Sequence, residues 1–277
     1  MIKIFKYGPP KKMIKVMVWL SWPIIIAGKK FSSYPVLKWI IYPFFRRPWN
    51  EVTSIPINVP VESPASVPVP MRVLERLVRG VDERFALNEC ICRGHNKCDD
   101  PPRSIGCLAL GPATKRMHPT NGRYLSADEA MAHIKMAASH GLIANIAHVW
   151  IDPLAFQTRF KDLMFICLCD DTNCLYRTHM KKRGPTLDGT YKKLPGIEVS
   201  VNAAGCNGCG DCIDSCFVAA IEMNKGKAVI GSDCKGCGRC VEVCPEKAID
   251  LTIANEEELY RQMLERISEM SSLAIKE

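Results

Sequence analysis

Between Cys206 and Pro245 eight cysteines fall in two copies of one spacing. Cys206, Cys209, Cys212 and Cys216 form the first copy, Cys234, Cys237, Cys240 and Cys244 the second, 28 residues later, and Pro245 closes it. This feature constrains the fold most, because each C-x2-C-x2-C-x3-C run must wrap its thiolates around an inorganic centre, the ligation pattern of iron–sulfur clusters. A single C-x2-C pair also suits zinc, but two complete runs with a terminal Pro245 are not a zinc-finger layout. Glycines interleaved with the cysteines allow tight loops whose N–H groups turn toward sulfur.

On these residues, roughly 197 to 254 resemble the bacterial dicluster ferredoxins. The resemblance implies two [4Fe–4S] clusters in a ferredoxin-like α+β domain of short strands and helices. It also implies that the fourth cysteine of each run serves the other cluster. Cys206, Cys209, Cys212 and Cys244 would then hold one, and Cys234, Cys237, Cys240 and Cys216 the other. The first run is followed by Phe217, where the family pattern prefers proline. Eight carboxylates against five basic side chains make this module acidic, which disfavours an added electron and predicts a low-potential carrier.

Seven more cysteines lie upstream. Glu89 to Cys98 reads ECICRGHNKC and Ile166 to Cys174 reads ICLCDDTNC, each a C-x-C with a third cysteine after a short polar loop. Thiols so closely spaced make poor disulfide partners, and metal ligation implies a reducing, anaerobic setting. The seven are expected to converge. Four of Cys90, Cys92, Cys98, Cys107, Cys167, Cys169 and Cys174 would bind a third [4Fe–4S] cluster, most simply Cys90, Cys92, Cys98 and Cys107. A further cluster on the later trio, or structural zinc, are the alternatives. The pattern resembles iron–sulfur proteins in which a cysteine-rich region precedes a dicluster ferredoxin; there the second group is usually denser in cysteine, and Asp170 and Asp171 stand in those places. Arg93 would offset thiolate charge, whereas His95 reads as an exposed loop residue.

Charge is divided unevenly. The chain carries +8 overall, yet residues 1–50 hold ten Lys or Arg and no acid. A basic end of this kind, with no distributed patch, argues against a nucleic-acid partner. Val16 to Ala27 and Tyr34 to Phe45 are apolar and aromatic but too short to span a bilayer, which takes about 20 residues. No small-residue cleavage site follows Ala27. Tryptophans and tyrosines beside lysines suit an anchor lying in a membrane interface, with docking to a partner subunit or packing on the chain itself as alternatives.

The expected organisation is an anchoring segment (1–50), a proline-rich strap (51–70), a mainly helical cysteine-rich domain (71–195), the ferredoxin domain (196–254) and a C-terminal amphipathic helix (255–277). Within it, Met71 to Leu87 reads as one amphipathic helix and Ser126 with Glu129 as a capping box. Leu142 to Ile151 reads as a strand, and Arg177 to Lys193 as a solvated basic connector. Asn224 to Lys227 reads as a hairpin turn, and Asn255 as the cap of the last helix.

Phosphate-binding and hydrolase nucleophile motifs are absent. The function expected is an electron-transfer subunit, peripheral on the cytoplasmic face of a membrane. It would pass single electrons between a partner oxidoreductase and a membrane or soluble acceptor. The alternative is a reductase whose N-terminal cluster binds substrate.

Overall fold

The structure, a computed structural model, describes residues 6–45, 47–59, 69–181 and 187–276. Its centre is a seven-stranded sheet of order β4-β2-β3-β6-β5-β1-β7, formed by β1 (Asn50–Ile55), β2 (Arg84–Leu87), β3 (Leu108–Leu110), β4 (Gly122–Tyr124), β5 (Ile143–Val149), β6 (Met164–Cys169) and β7 (Tyr191–Lys192). All neighbours are antiparallel except β1 and β7. The cysteine-rich region is therefore α+β, and the mainly helical expectation is corrected. The signals for β2, β3 and β4 were short: strands of three or four residues leave too little alternation to read.

Two of the expected segments change. Residues 50–55 form a fully buried strand, not a strap; the first proline of that stretch, Pro56, follows the strand and removes nothing from its ladder. The strap's residues 60–68 lie outside the described residues. The helix expected over Met71 to Leu87 is α3 (Val69–Gly80), after which Arg84–Leu87 turns into β2. Gly80 is the reason: a Cβ there would meet the Lys276 carbonyl at 2.6 Å, so the C-terminal tail occupies the space of a side chain.

Alternation along the strands divides the chemistry from the packing. On β6, Met164, Ile166 and Leu168 enter one core with α3, α5 (Ala127–Ser139) and the C-terminal helix Glu256–Met270, while Phe165, Cys167 and Cys169 face the other. The capping box of α5 is formed: Ser126 Oγ accepts from Glu129 N at 3.2 Å, and Ser126 N donates to Glu129 Oε2 at 2.8 Å. Asn255 caps the last helix, accepting from Glu258 N at 3.1 Å. Leu259, Met263, Ile267 and Met270 are buried, as their spacing predicts.

The cysteine-bearing face is covered by α1 (Lys11–Phe31), which is one helix despite Pro23. Lys11 and Lys15 pair with Glu89 at 2.8 and 2.9 Å, Trp22 stacks on His95 at 4.2 Å, and Lys29 is buried. This helix is thus clamped to the first cysteine loop by its first part and to the loop after Cys174 near its end. No helix among the described residues is long and apolar enough to cross a membrane. The outer face of α1 and of α2 (Leu37–Ile41) still exposes Trp19, Leu20, Ile24, Trp39 and Ile40.

The C-terminal module pairs β8 (Ile197–Val201) with β11 (Ile249–Ile253), and β9 (Ile221–Asn224) with β10 (Lys227–Ile230). It docks closely on the sheet domain. Gly238 has φ +79°, and a Cβ there would lie 2.4 Å from Val59 Cγ2, so only glycine satisfies both backbone and neighbour. Arg239 crosses the same junction, donating to Asp171 at 2.7 Å and to the Gly141 carbonyl at 2.9 Å.

Candidate metal centres

The two C-terminal runs fold with matching local geometry. The amide of Ala220 donates to Cys216 Sγ at 3.2 Å, and that of Ala248, its counterpart 28 residues on, to Cys244 Sγ at 3.3 Å. Gly236 N approaches Cys234 Sγ at 3.4 Å. Such donors stabilise thiolate charge, as a reduced cluster requires. Cys206, Cys209, Cys212 and Cys244 line one small cavity with Gly208 and Ile249. The fourth cysteine of the second run therefore stands with the first three of the first. Cys206 is held below the ordinary thiol range, chiefly by the backbone amides of Ala228 and Gly208, while burial pushes Cys240 up.

Upstream, six thiols close into a ring. Cys174 donates to Cys169 at 3.1 Å. Cys169 touches Cys167, and Cys167 touches Cys107. Cys107 touches Cys90, Cys90 touches Cys92, and Cys92 returns to Cys174. The elements that deliver them are distinct. Cys90 caps and Cys92 lies in the first turn of α4 (Ile91–Asn96), Cys107 leads into β3, Cys167 and Cys169 occupy one face of β6, and Cys174 lies in the loop beyond.

Cys98, part of the simplest expected ligand set, stands apart. It is partly exposed and contacts the Asp100 carbonyl at 3.2 Å. The left-handed turn at Lys97 ends α4 and carries the chain away from the ring, so the polar loop positions Cys98 by its own backbone. His95 lies against Trp22, away from the thiols.

Three buried cations surround this ring. Arg93 is fully buried; its guanidinium donates to the carbonyls of Leu168 and Ile105 and to Asp170, and its charge favours the Cys90 thiolate. Lys29 gives three hydrogen bonds, to the carbonyls of Leu175, Tyr176 and Thr178 at 2.7, 3.0 and 2.7 Å, and so ties α1 to the loop after Cys174. Burial lowers its pKa to about 8, opposed by Cys174 and Cys92. Arg177, expected in a solvated connector, is 1% exposed. It pairs with Asp171, stacks on Phe217 at 3.9 Å and reaches Cys237 Sγ at 3.8 Å. Its position three residues after Cys174 was the signal that sequence reasoning passed over.

Asp170 and Asp171 therefore serve the arginines. Asp170 also orders the turn before Cys174, accepting from Thr172 N and Asn173 N at 2.9 and 2.5 Å. Arg93 Nε and Arg177 Nη1 are buried without a hydrogen-bond partner. Orphaned cationic donors around six thiols fit an anionic sulfur-rich centre, since an unmatched buried donor is otherwise costly. Among the described residues no three His, Cys, Asp or Glu side chains converge on a single metal ion.

Residues 205–248 match the family described as the 4Fe-4S dicluster domain. This part of the chain is a ferredoxin-type domain that binds two [4Fe–4S] clusters and serves iron–sulfur electron transfer. Neither a curated protein nor a solved structure matches the chain.

Proposed function

We propose that this chain relays single electrons through three iron–sulfur centres, two in the dicluster domain and one within the six-thiol ring. In this reading Cys206, Cys209, Cys212 and Cys244 hold one C-terminal cluster, and Cys234, Cys237, Cys240 and Cys216 the other. The third takes four ligands from Cys90, Cys92, Cys107, Cys167, Cys169 and Cys174. The clusters supply the electron chemistry, and the protein supplies spacing, burial and charge.

The observation that carries the reading is continuity. Cys107, Cys167, Cys169 and Cys174 of the ring and Cys216, Cys234 and Cys237 belong to one hydrophobic core, with Phe217 in it and Arg177 stacked on Phe217. A dry, packed connection with a fixed cation suits electron transfer between the two groups. Exposed Cys209 marks the opposite end of the module and suits exchange with a partner oxidoreductase. The apolar outer face of α1 and α2, set beside lysines, suits a membrane surface on the cytoplasmic side. A ring of six thiols, two more than a cubane takes, argues against an under-ligated centre that binds substrate, and so against the catalytic alternative.

An EPR redox titration of the anaerobically prepared full chain tests this. Three separable reduced signals are expected; two signals, both lost on mutation of the C-terminal cysteines, would remove the third centre.

A further inference from the structure

An apolar cavity lies one residue from the thiol ring. It has a volume of about 280 Å3 and runs between α1, α2 and the chain around Val149–Ile151 and Leu175–Tyr176. Leu175 separates the two: its side chain lines the cavity, while its amide approaches Cys92 Sγ at 3.4 Å. The walls are aromatic at one end, where Phe44 and Trp150 pack with ring centres 5.4 Å apart. At the mouth, Ile24 and Ile40 are 72% and 66% exposed, so the cavity opens onto the apolar face of α1 and α2.

The polar groups in its wall select the head of a ligand. Lys29 has all three ammonium protons committed to carbonyls, Thr190 donates to the Phe45 carbonyl and Tyr176 to Asp152. None is spare for an anion. Asn50 is 4% exposed; its Nδ2 donates to the Phe44 carbonyl, and its Oδ1 is buried with no partner. The unmet need is for a hydrogen-bond donor, which a neutral hydroxyl supplies and a carboxylate or phosphate does not.

We propose that this cavity binds a lipid-soluble hydroquinone. Its ring lies against Phe44 and Trp150, one hydroxyl donates to Asn50 Oδ1, and its alkyl tail leaves past Ile24 and Ile40 toward the lipid. An aromatic, neutral, hydroxyl-bearing amphiphile satisfies every wall. The proposal deepens the relay reading, since such a molecule at Leu175 would stand next to the upstream centre, but binding itself needs no cluster.

Gly28 provides the test. It lines the cavity, and a Cβ there meets only Phe45 Cε2, at 3.9 Å, so a side chain starts from the helix in open space and Gly28→Leu extends it into the cavity. Equilibrium dialysis of the oxidised full chain against a decyl-substituted benzohydroquinone, under anaerobic conditions, gives the affinity. Saturable binding is expected, weakened about tenfold or more by Gly28→Leu and about tenfold by Asn50→Leu, with iron content unchanged in both. Binding unaffected by Gly28→Leu, or decanoate bound as tightly as the hydroquinone, would overturn the proposal. Hydroquinone bound by a protein lacking upstream iron would refute the third centre and leave this site standing.

Discussion

Arg177 Nη2 lies 3.8 Å from Cys237 Sγ, while Arg177 itself is three residues from Cys174. Arg177 therefore serves both groups of cysteines: its buried guanidinium reaches Cys237, and its backbone amide and charge favour the Cys174 thiolate. A nearby cation favours the reduced, more negative state of a cluster. Arg177→Met is expected to lower the potential of one C-terminal cluster by an amount on the order of 50–100 mV, with Arg177→Lys nearer to wild type. Potentiometric EPR on the three proteins reads this directly; equal potentials in all three would show that the arginine is only packed there.

Lipid binding is expected to depend on the outer face of α1 and α2 and not on the presence of the segment as such. Deleting residues 1–50 would also remove buried Ile14, Lys29 and Ser32 and so disturb the thiol ring. Trp39→Glu with Ile40→Glu changes only exposed side chains. Flotation with vesicles containing anionic lipid should recover the wild type and lose the double variant, and wild-type recovery should fall with added salt. Retention of the double variant on vesicles would move the contact elsewhere.

His148 makes part of the stability pH-dependent. Its Nδ1 bonds the Leu163 carbonyl at 3.0 Å, Phe160 packs edge-on against it, and burial lowers its pKa to about 4, partly opposed by the Leu163 bond and by Glu51 across the β1–β5 pair. The folded state thus holds the ring neutral, while the unfolded chain takes up a proton below about 6.5. The contribution is fully present above that value and declines as pH falls toward 4, by about 3 kcal/mol in total. The stability difference between wild type and His148→Gln, from denaturant unfolding, should shrink over that window. A difference independent of pH would contradict the assignment. Comparing the two proteins cancels the opposite trend expected from Asp152, whose pKa burial raises to about 7.

The capping box of α5 gives a simpler quantity. Ser126→Ala removes the acceptor for Glu129 N and should destabilise the protein by about 1 kcal/mol. Hydrogen exchange should report the loss first in the opening turn of the helix.

The elements that the sequence announces are those whose signals are local. The Ser126 cap, the Asn224–Lys227 turn and the Cys206 to Pro245 repeat each need only a few neighbouring residues to act. The sheet is different: β2, β3 and β4 are short, and their order depends on partners far along the chain. The same distance hides the thiol ring. Cys98 resembles its neighbours in sequence, and only the turn at Lys97 sets it apart. Arg177 looks like part of a basic loop until the ferredoxin module closes over it. Asp170 and Asp171, read as missing ligands, prove to be the counterions of buried arginines.

The central claim is the upstream centre on the six-thiol ring, and iron and acid-labile sulfide analysis of three proteins tests it most directly. Wild type and Cys98→Ser are each expected to hold about twelve of each per chain after anaerobic preparation. The triple variant Cys90→Ser, Cys107→Ser and Cys174→Ser, which leaves three thiols of the six, should fall to about eight, with both C-terminal EPR signals retained. About eight in the wild type, or a loss in Cys98→Ser as large as that in the triple variant, would contradict the account.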